Sequence, residues 1–345
     1  MIWMTWRQFR PAAIAASATL VVLAAAVAAT RPTLLSLYTS AGLPACHTAC
    51  ASDASNFLGS VRSSYTGKIF WAGIGIMYLV PAVIGLFWGA PLIAREIDSG
   101  TFRLAWSQSV TRARWATVKL TMIGGATMLT AGLMSLLIGW WSSPLYQAAN
   151  QAGPNTFQIS RLSPTMFSTT GIVPLGYAAF AFTLGAAAGV LLRRTLPAMA
   201  VTLAVFAAIQ VLVPMLVRPH VIPPVQTTHA VSAVQIGPAM IGAHGLYSLG
   251  LLGISGHPGA LILGNRLVGE AGQTLTRLPS ACDFGPPDSA FSSCLARHGI
   301  RIVVSYQPAS RYWELQSAET GMYLLLAAGL GGLCYCAIRR RQRAA

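Results

Sequence analysis

The chain has 345 residues, 54% of them hydrophobic and 9% charged, with a formal net charge of +15. Soluble globular domains carry about a quarter charged residues, so this balance excludes an ordinary soluble domain. The basic excess sits at the ends of apolar runs and forms no stripe or patch, which excludes nucleic acid as the partner and fits membrane topology.

Residues 1–10 place Trp3, Trp6 and Phe9 at i, i+3 and i+6 beside Arg7 and Arg10. That is the pattern of a helix lying in the cytosolic interface, rings among the headgroups. Residues 11–30 are apolar for about twenty residues, enough to cross a hydrocarbon core of about 30 Å. Ala26 to Ala29 are small residues of the kind found at signal-peptide cleavage sites. The run is longer than a signal h-region, however, and reads as a retained first span. Residues 31–68 are polar, rich in Ser and Thr, and carry Cys46 and Cys50 in an extracellular loop.

Residues 69–93 form span two, with Pro81 inside it, where a kink is expected. Gly85-x-x-x-Gly89 near its cytosolic end has the spacing that lets helices approach closely in lipid. Residues 94–115 then interrupt the apolar pattern. From Ala94 to Leu120 there are five basic residues (Arg95, Arg103, Arg112, Arg114, Lys119) and two of the eight acids, Glu96 and Asp98. A charged segment between two long apolar runs reads as a cytosolic loop that touches a partner. Gly100 permits a sharp turn there. A short helix from Thr101 to about Trp106 would put Phe102, Ala105 and Trp106 on one face, and Thr111 is suited to cap the next span.

Residues 116–141 form span three, ending in Trp140 and Trp141 at the outer interface, and 142–166 an extracellular loop. Span four, 167–192, contains Pro174 and Gly185-x-x-x-Gly189; 193–195 is a minimal cytosolic turn with Arg193 and Arg194, and 196–217 is span five. Residues 218–318 make an extracellular segment with five of the six histidines and the pair Cys282 and Cys294. Within it, residues 239–263 are uncharged and apolar with Gly, Ser, His and Pro throughout, which suits a re-entrant or interface-lying pair of helices; Ile300 to Tyr306 alternates as a short strand. Residues 319–338 form span six, and the tail 339–345 carries Arg339, Arg340, Arg341 and Arg343. The expected fold is an all-α polytopic membrane protein of six transmembrane helices with an enlarged extracellular segment between the fifth and sixth.

Six spans put both termini on one side. Thirteen of the 23 Lys and Arg fall in short segments on that side, and ten are spread over much longer segments on the other. The positive-inside rule then puts both termini in the cytosol of a multi-pass plasma-membrane protein. The pairs Cys46/Cys50 and Cys282/Cys294 fall outside, where disulfides persist. Cys46 and Cys50 with His47 make an incomplete ligand set, so no metal is expected; Cys334 and Cys336 lie in the last span as small apolar residues.

No span core holds Asp, Glu, Lys, Arg or His, each of which costs ~2.5–3.5 kcal/mol at mid-membrane and marks ion-coupled transporters where present. There is no G-x-x-x-x-G-K-[ST] loop, and the only lysines are Lys68 and Lys119. Energy for uphill movement must come from a partner at the cytosolic face.

E-x-x-x-G-T after the second span, Glu96 to Thr101, followed by a basic stretch into the third, resembles the permease subunits of type-2 ABC exporters. The wider ARE-x-x-x-GT-x-RLAWSQSVTR-x-RW-x-x-x-KL is similar to an actinobacterial group of them, as are MTWRQFRP at Met4 to Pro11 and YQPASRYW-x-x-Q-x-x-ETG at Tyr306 to Gly321. The resemblance implies two paired permease chains, each engaging one ATPase subunit, with ATP and Mg bound by that partner and no cofactor in this chain. Residues from about Ser99 to Ser109 would be the coupling helix, Glu96 its hinge, and Gly100, Thr101, Phe102, Arg103 and Trp106 its contact residues. Substrate would pass between spans two and five, lined by Phe70, Met77, Tyr78, Phe206, Gln210 and Met215, with membrane lipid around the chain. The extracellular segment before the last span is far longer than that of the family.

The leading expectation is thus a permease exporting drugs, lipids or similar amphipathic compounds. A non-transporting membrane sensor using the same loop is the alternative. A third is a membrane-anchored enzyme acting through its extracellular segment. There Cys282, Cys294, His298, Asp283 and Asp288 show no catalytic spacing.

Overall fold

The computed structural model describes residues 2–46, 50–98, 112–152, 160–241, 247–254, 257–275, 282 and 289–340. Among the described residues six helices are long and apolar enough to cross a membrane: Thr5–Ser40, Tyr65–Arg95, Arg114–Trp141, Val173–Leu192, Thr195–Val221 and Ala309–Arg339. They are called the first to sixth helices below. The fourth is the axis of the bundle, with 78% of its apolar window buried against 6% for the first. A helix apolar on every side needs such a central place, and its run of Ala and Gly lets neighbours come close.

The first helix belongs to one continuous helix, Ile2–Ser40, that passes through Pro11 and Pro32 without a break. At 1.5 Å per residue its 39 residues extend about 58 Å, well beyond a hydrocarbon core of about 30 Å. Its far end joins a small helical layer built from Ala51–Ser63 and Ser143–Gln151. Leu34, Phe57, Leu58, Val61, Trp141 and Leu145 fill that layer. Trp141 Nε1 donates to Thr30 Oγ1 at 3.0 Å, and the Arg31 guanidinium lies 3.5 Å from the Trp140 ring centroid. The Cys46–Cys50 disulfide lies at the entry to Ala51–Ser63 in this layer.

Residues between the fifth and sixth helices fold mainly as strands, which corrects the all-α expectation. β1 (Val225–Ala230), β5 (Arg301–Gln307) and β4 (Leu261–Val268) form an antiparallel sheet in that order, and β2 (Val234–Ile241) pairs antiparallel with β3 (Tyr247–Ile254). The apolar stretch 239–263 therefore contributes strands, where helices were expected. Its frequent glycines are poor helix formers, and ladder bonds to neighbouring strands satisfy the backbone without a helix. The alternating Ile300 to Tyr306 stretch supplies central strand β5, with Ile302, Val304 and Tyr306 turned into the core. Helix Ser289–Arg297 covers that core with Phe291 and Leu295, and the Cys282–Cys294 disulfide lies inside it.

Two of the long helices contain wide, π-helical turns. In the second, Gly85–Gly89 follows one turn after Pro81, and Ala90 N–H donates to Gly85 O. In the fifth, Val213–Val217 contains Pro214, and Arg218 N–H donates to Val213 O. Proline has no N–H to give to the preceding turn, and each interruption is absorbed as a wide turn in a helix that continues. Such turns are frequent at functional sites.

Candidate functional site

The second and fourth helices meet backbone to backbone. A Cβ added at Gly85 would stand 2.8 Å from the Ala181 carbonyl oxygen, and one at Gly189 would stand 2.6 Å from that of Ala90. Cβ atoms at Gly89 and Gly185 would run into the carbonyl oxygens of Phe182 and Gly85 respectively. Both small-residue motifs thus face one another across a single crossing. In lipid, where burial of apolar surface gives no net drive, such close packing is what holds helices together.

Beyond the crossing the second helix continues as Ala90–Asp98. Glu96 lies in this last stretch; Gly100, Thr101, Phe102, Arg103 and Trp106 lie outside the described residues. Helix resumes at Arg112. Near this end, Ile93 packs with Trp115, Ala186 and Val190, joining the second, third and fourth helices, while Cys334 and Ile338 bring in the sixth.

At the opposite end of the bundle is a polar junction not anticipated from the sequence. Arg218 and Glu319 are 4% and 3% exposed, and Arg218 Nε donates to Glu319 Oε2 at 2.8 Å. Nη2 donates to Glu319 Oε1 at 3.0 Å and to Ser168 Oγ at 2.9 Å. Tyr177 O–H donates to Glu319 Oε1 at 2.6 Å. Arg218 Cζ stands 4.4 Å from the Phe167 ring centroid, a favourable place for a cation. The fourth, fifth and sixth helices are thereby joined at one point. Charge thus does enter the long helices, because the fifth runs on past residue 217 and the sixth starts before Glu319. The pair is neutral as a unit, so it adds no net charge to the bundle.

Gln316, one turn before Glu319, supports the same junction. Its Oε1 accepts from the N–H groups of Ile172 and Val173, both at 2.9 Å, and its Nε2 donates to Phe167 O at 2.9 Å and Thr170 O at 3.1 Å. It thus satisfies donors at the start of the fourth helix that no helical carbonyl can reach. Gly171, at φ 78°, makes room: a Cβ there would lie 2.7 Å from both Gln316 Oε1 and Tyr312 Oη. The sheet is tied on through Gln307 Nε2 at the end of β5, which donates to Ile222 O at 2.6 Å; at the start of the sixth helix Arg311 Nη1 donates to Pro223 O at 2.8 Å and to Gln307 Oε1 at 3.1 Å.

The six residues expected to line a pathway do not share one surface. Phe70 is buried against Trp141, and Met77 is buried with Met134 and Ile138 of the third helix. Phe206 is buried against Phe180 of the fourth. Tyr78 is partly buried and donates to Pro164 O at 3.3 Å; Gln210 is partly buried and Met215 is 69% exposed. His298 lies within 4.8 Å of the sulfurs of Cys282 and Cys294, but those sulfurs are bonded to one another and are not thiolate ligands.

Sequence reasoning missed Arg218 and Glu319 because each stands at the end of an apolar run. A usable signal existed in the block Tyr306 to Gly321: its Gln316 and Glu319 build this junction, and its Gln307 and Arg311 bond the chain just past the fifth helix.

No curated protein and no solved structure matches the chain. A family model described as ABC-2 membrane transporter related matches residues 17–218, which is more than half of the chain. The matched region runs from the first helix to Arg218, includes the glycine crossing, and stops before the sheet. Six membrane-length helices and this match together make the protein a multi-pass permease subunit of the ABC-2 type, a membrane component that works with ABC ATPases. The chain belongs to the ABC-2 membrane transporter related family.

Proposed function

We propose that this chain is the membrane-spanning subunit of an ATP-driven exporter of hydrophobic or amphipathic compounds, energised by a separate ATPase docked on residues 94–115. The observation that carries the reading is the path from that segment into the bundle. The second helix runs from its backbone contact with the fourth straight on to Asp98. With no side chain between the two helices, a push on the segment displaces them together, and the tightly packed fourth helix passes the movement to its neighbours. Two permease chains, identical or not, would pair and engage two ATPase subunits, each holding ATP and Mg. Both termini would face the cytosol, and the sheet with its disulfide would lie outside the plasma membrane, where such bonds persist.

A cargo path between the second and fifth helices of paired chains suits the wide turns in both helices. Of the residues proposed to line it, Met215 is exposed and Tyr78 and Gln210 keep part of their surface open, whereas Phe70, Met77 and Phe206 would first have to leave their packing. The test is reconstitution of the chain with its ATPase in vesicles, scored for hydrolysis stimulated by lipophilic compounds and for their movement across the bilayer. Stimulation with movement supports the exporter. The bonds from Gln307 at the end of β5 and Arg311 at the start of the sixth helix to Ile222 and Pro223, just past the fifth helix, favour a second reading, a non-transporting sensor of an external ligand. That reading requires altered hydrolysis without movement.

A further inference from the structure

The sheet beyond the fifth helix brings two histidines together. Val225, Thr227 and His229 of β1 lie opposite Tyr306, Val304 and Ile302 of β5. Directly opposed residues of an antiparallel pair share a face, and so do alternate residues of one strand. His229 therefore stands on the core side of the sheet, as Tyr306 does. His257, just past β3, closes over the same face. Its N–H donates to Ile254 O at 3.1 Å and its carbonyl accepts from Ala260 N–H at 3.3 Å, which fixes the backbone there. The two imidazole rings meet edge to face with centroids 6.1 Å apart. Tyr306, itself buried, brings its Oη to 3.3 Å from Nε2 and 3.5 Å from Nδ1 of His257.

Both histidines are half-buried, so solvent reaches them while buried Ile302 and Val304 form an apolar floor beside them. Thr227 Oγ1 lies 2.7 Å from His229 Nε2. With Nε2–H donating to that hydroxyl, Nδ1 keeps its lone pair for another partner. A hydrogen bond of this kind behind the ring is what orients most metal-ligating histidines. Two imidazoles that share one ion at metal–nitrogen distances of about 2.0–2.1 Å have centroids about 5–6 Å apart. A small turn of either ring therefore converts the observed spacing into a shared site.

We infer that His229 and His257, with the Tyr306 phenol beside them, bind a divalent transition metal of the Cu²⁺ or Zn²⁺ kind, water completing its coordination. Imidazole nitrogens suit these ions, and Cu²⁺ outranks Zn²⁺ at such donors. Ca²⁺ and Mg²⁺ are held by oxygen ligands, chiefly carboxylates, which these three side chains do not supply. The bound ion ties the segment after β3 to β1 and β5. Strand β5 ends at Gln307, which holds Ile222 just past the fifth helix, so the ion stiffens the sheet beside its attachment to the bundle. The inference rests on the sheet alone and does not require ATP-driven transport.

The test is titration of the metal-free full chain, purified in detergent without a histidine tag, with copper(II) chloride, followed by electron paramagnetic resonance. The wild type should take up one Cu²⁺ whose signal is split by two imidazole nitrogens. His229→Gln and His257→Gln should each lose that pattern and weaken binding by more than about tenfold, and Thr227→Val should weaken it about 10–100-fold, as loss of the partner behind a ligand does. His298→Gln, beside the Cys282–Cys294 disulfide, should bind as the wild type does. Thermal melting without metal checks that each variant folds; should a histidine variant fail to fold, Thr227→Val must still weaken binding. No uptake by the wild type, or an unchanged nitrogen pattern in both histidine variants, overturns the inference. So does loss of the pattern in His298→Gln, since the ion would then lie elsewhere.

Discussion

Arg218 and Glu319, 101 residues apart in the chain, meet side-on, with Nε and Nη2 of the arginine donating to separate carboxylate oxygens at 2.8 and 3.0 Å. Both are buried, and Ser168 and Tyr177 complete the cluster. Removing one partner leaves an uncompensated buried charge, which costs about 3–5 kcal/mol, whereas replacing both by apolar groups is often neutral. Arg218→Met and Glu319→Leu should therefore each lower the thermal unfolding temperature sharply in detergent. The double variant should recover most of the loss, and additive losses would contradict the pairing.

The glycine crossing predicts a position-dependent response to one methyl group. Gly185→Ala places a Cβ against Gly85 O and Ala90 N–H, both rigid backbone, so it should cost about 1–3 kcal/mol as an overpacked site. Gly75→Ala and Gly125→Ala meet nothing within 4 Å and should be tolerated. Monodispersity and melting of the three purified variants check this.

At the start of the fourth helix, Gln316→Ala removes the acceptor for the Ile172 and Val173 N–H groups and the donor to Phe167 O and Thr170 O. Leaving such buried groups unpaired costs about 1–3 kcal/mol. Gly171→Ala should be at least as damaging, because it adds a strained φ of 78° to a contact with Gln316 itself. Thermal melting of the two variants measures the order.

The two disulfides should differ in worth. Cys282–Cys294 closes twelve residues around the sheet core and Cys46–Cys50 only four. Loop-closure entropy gives the longer one about 3 kcal/mol. Cys282→Ser with Cys294→Ser should expose the sheet region to limited proteolysis, and Cys46→Ser with Cys50→Ser should change the cleavage pattern much less.

Much of the bundle was legible because its signals are local. Apolar runs of twenty residues declare membrane helices, and the two glycine pairs announce close packing, though not that they face each other. The stretch 239–263 misled because apolar residues with regular glycines suit an interfacial helix as readily as strands whose partners lie elsewhere in the chain. Arg218 and Glu319 stayed hidden for a related reason. Each looks like an ordinary charge at the end of an apolar run, and only the fold brings them together. Proline was legible as a disturbance, but whether it bends a helix or opens a wide turn depends on the neighbour, here the fourth helix against Gly85–Gly89.

The role of residues 94–115 is tested most sharply by a pull-down of the chain from its native membrane, wild type beside a Glu96→Ala, Trp106→Ala variant, with bound proteins identified and ATPase activity assayed in lipid. An ABC ATPase should accompany the wild type and be lost or uncoupled in the variant. An ATPase bound and active to the same degree with both forms, or absent from both, would contradict the assignment of residues 94–115 as the site where energy enters.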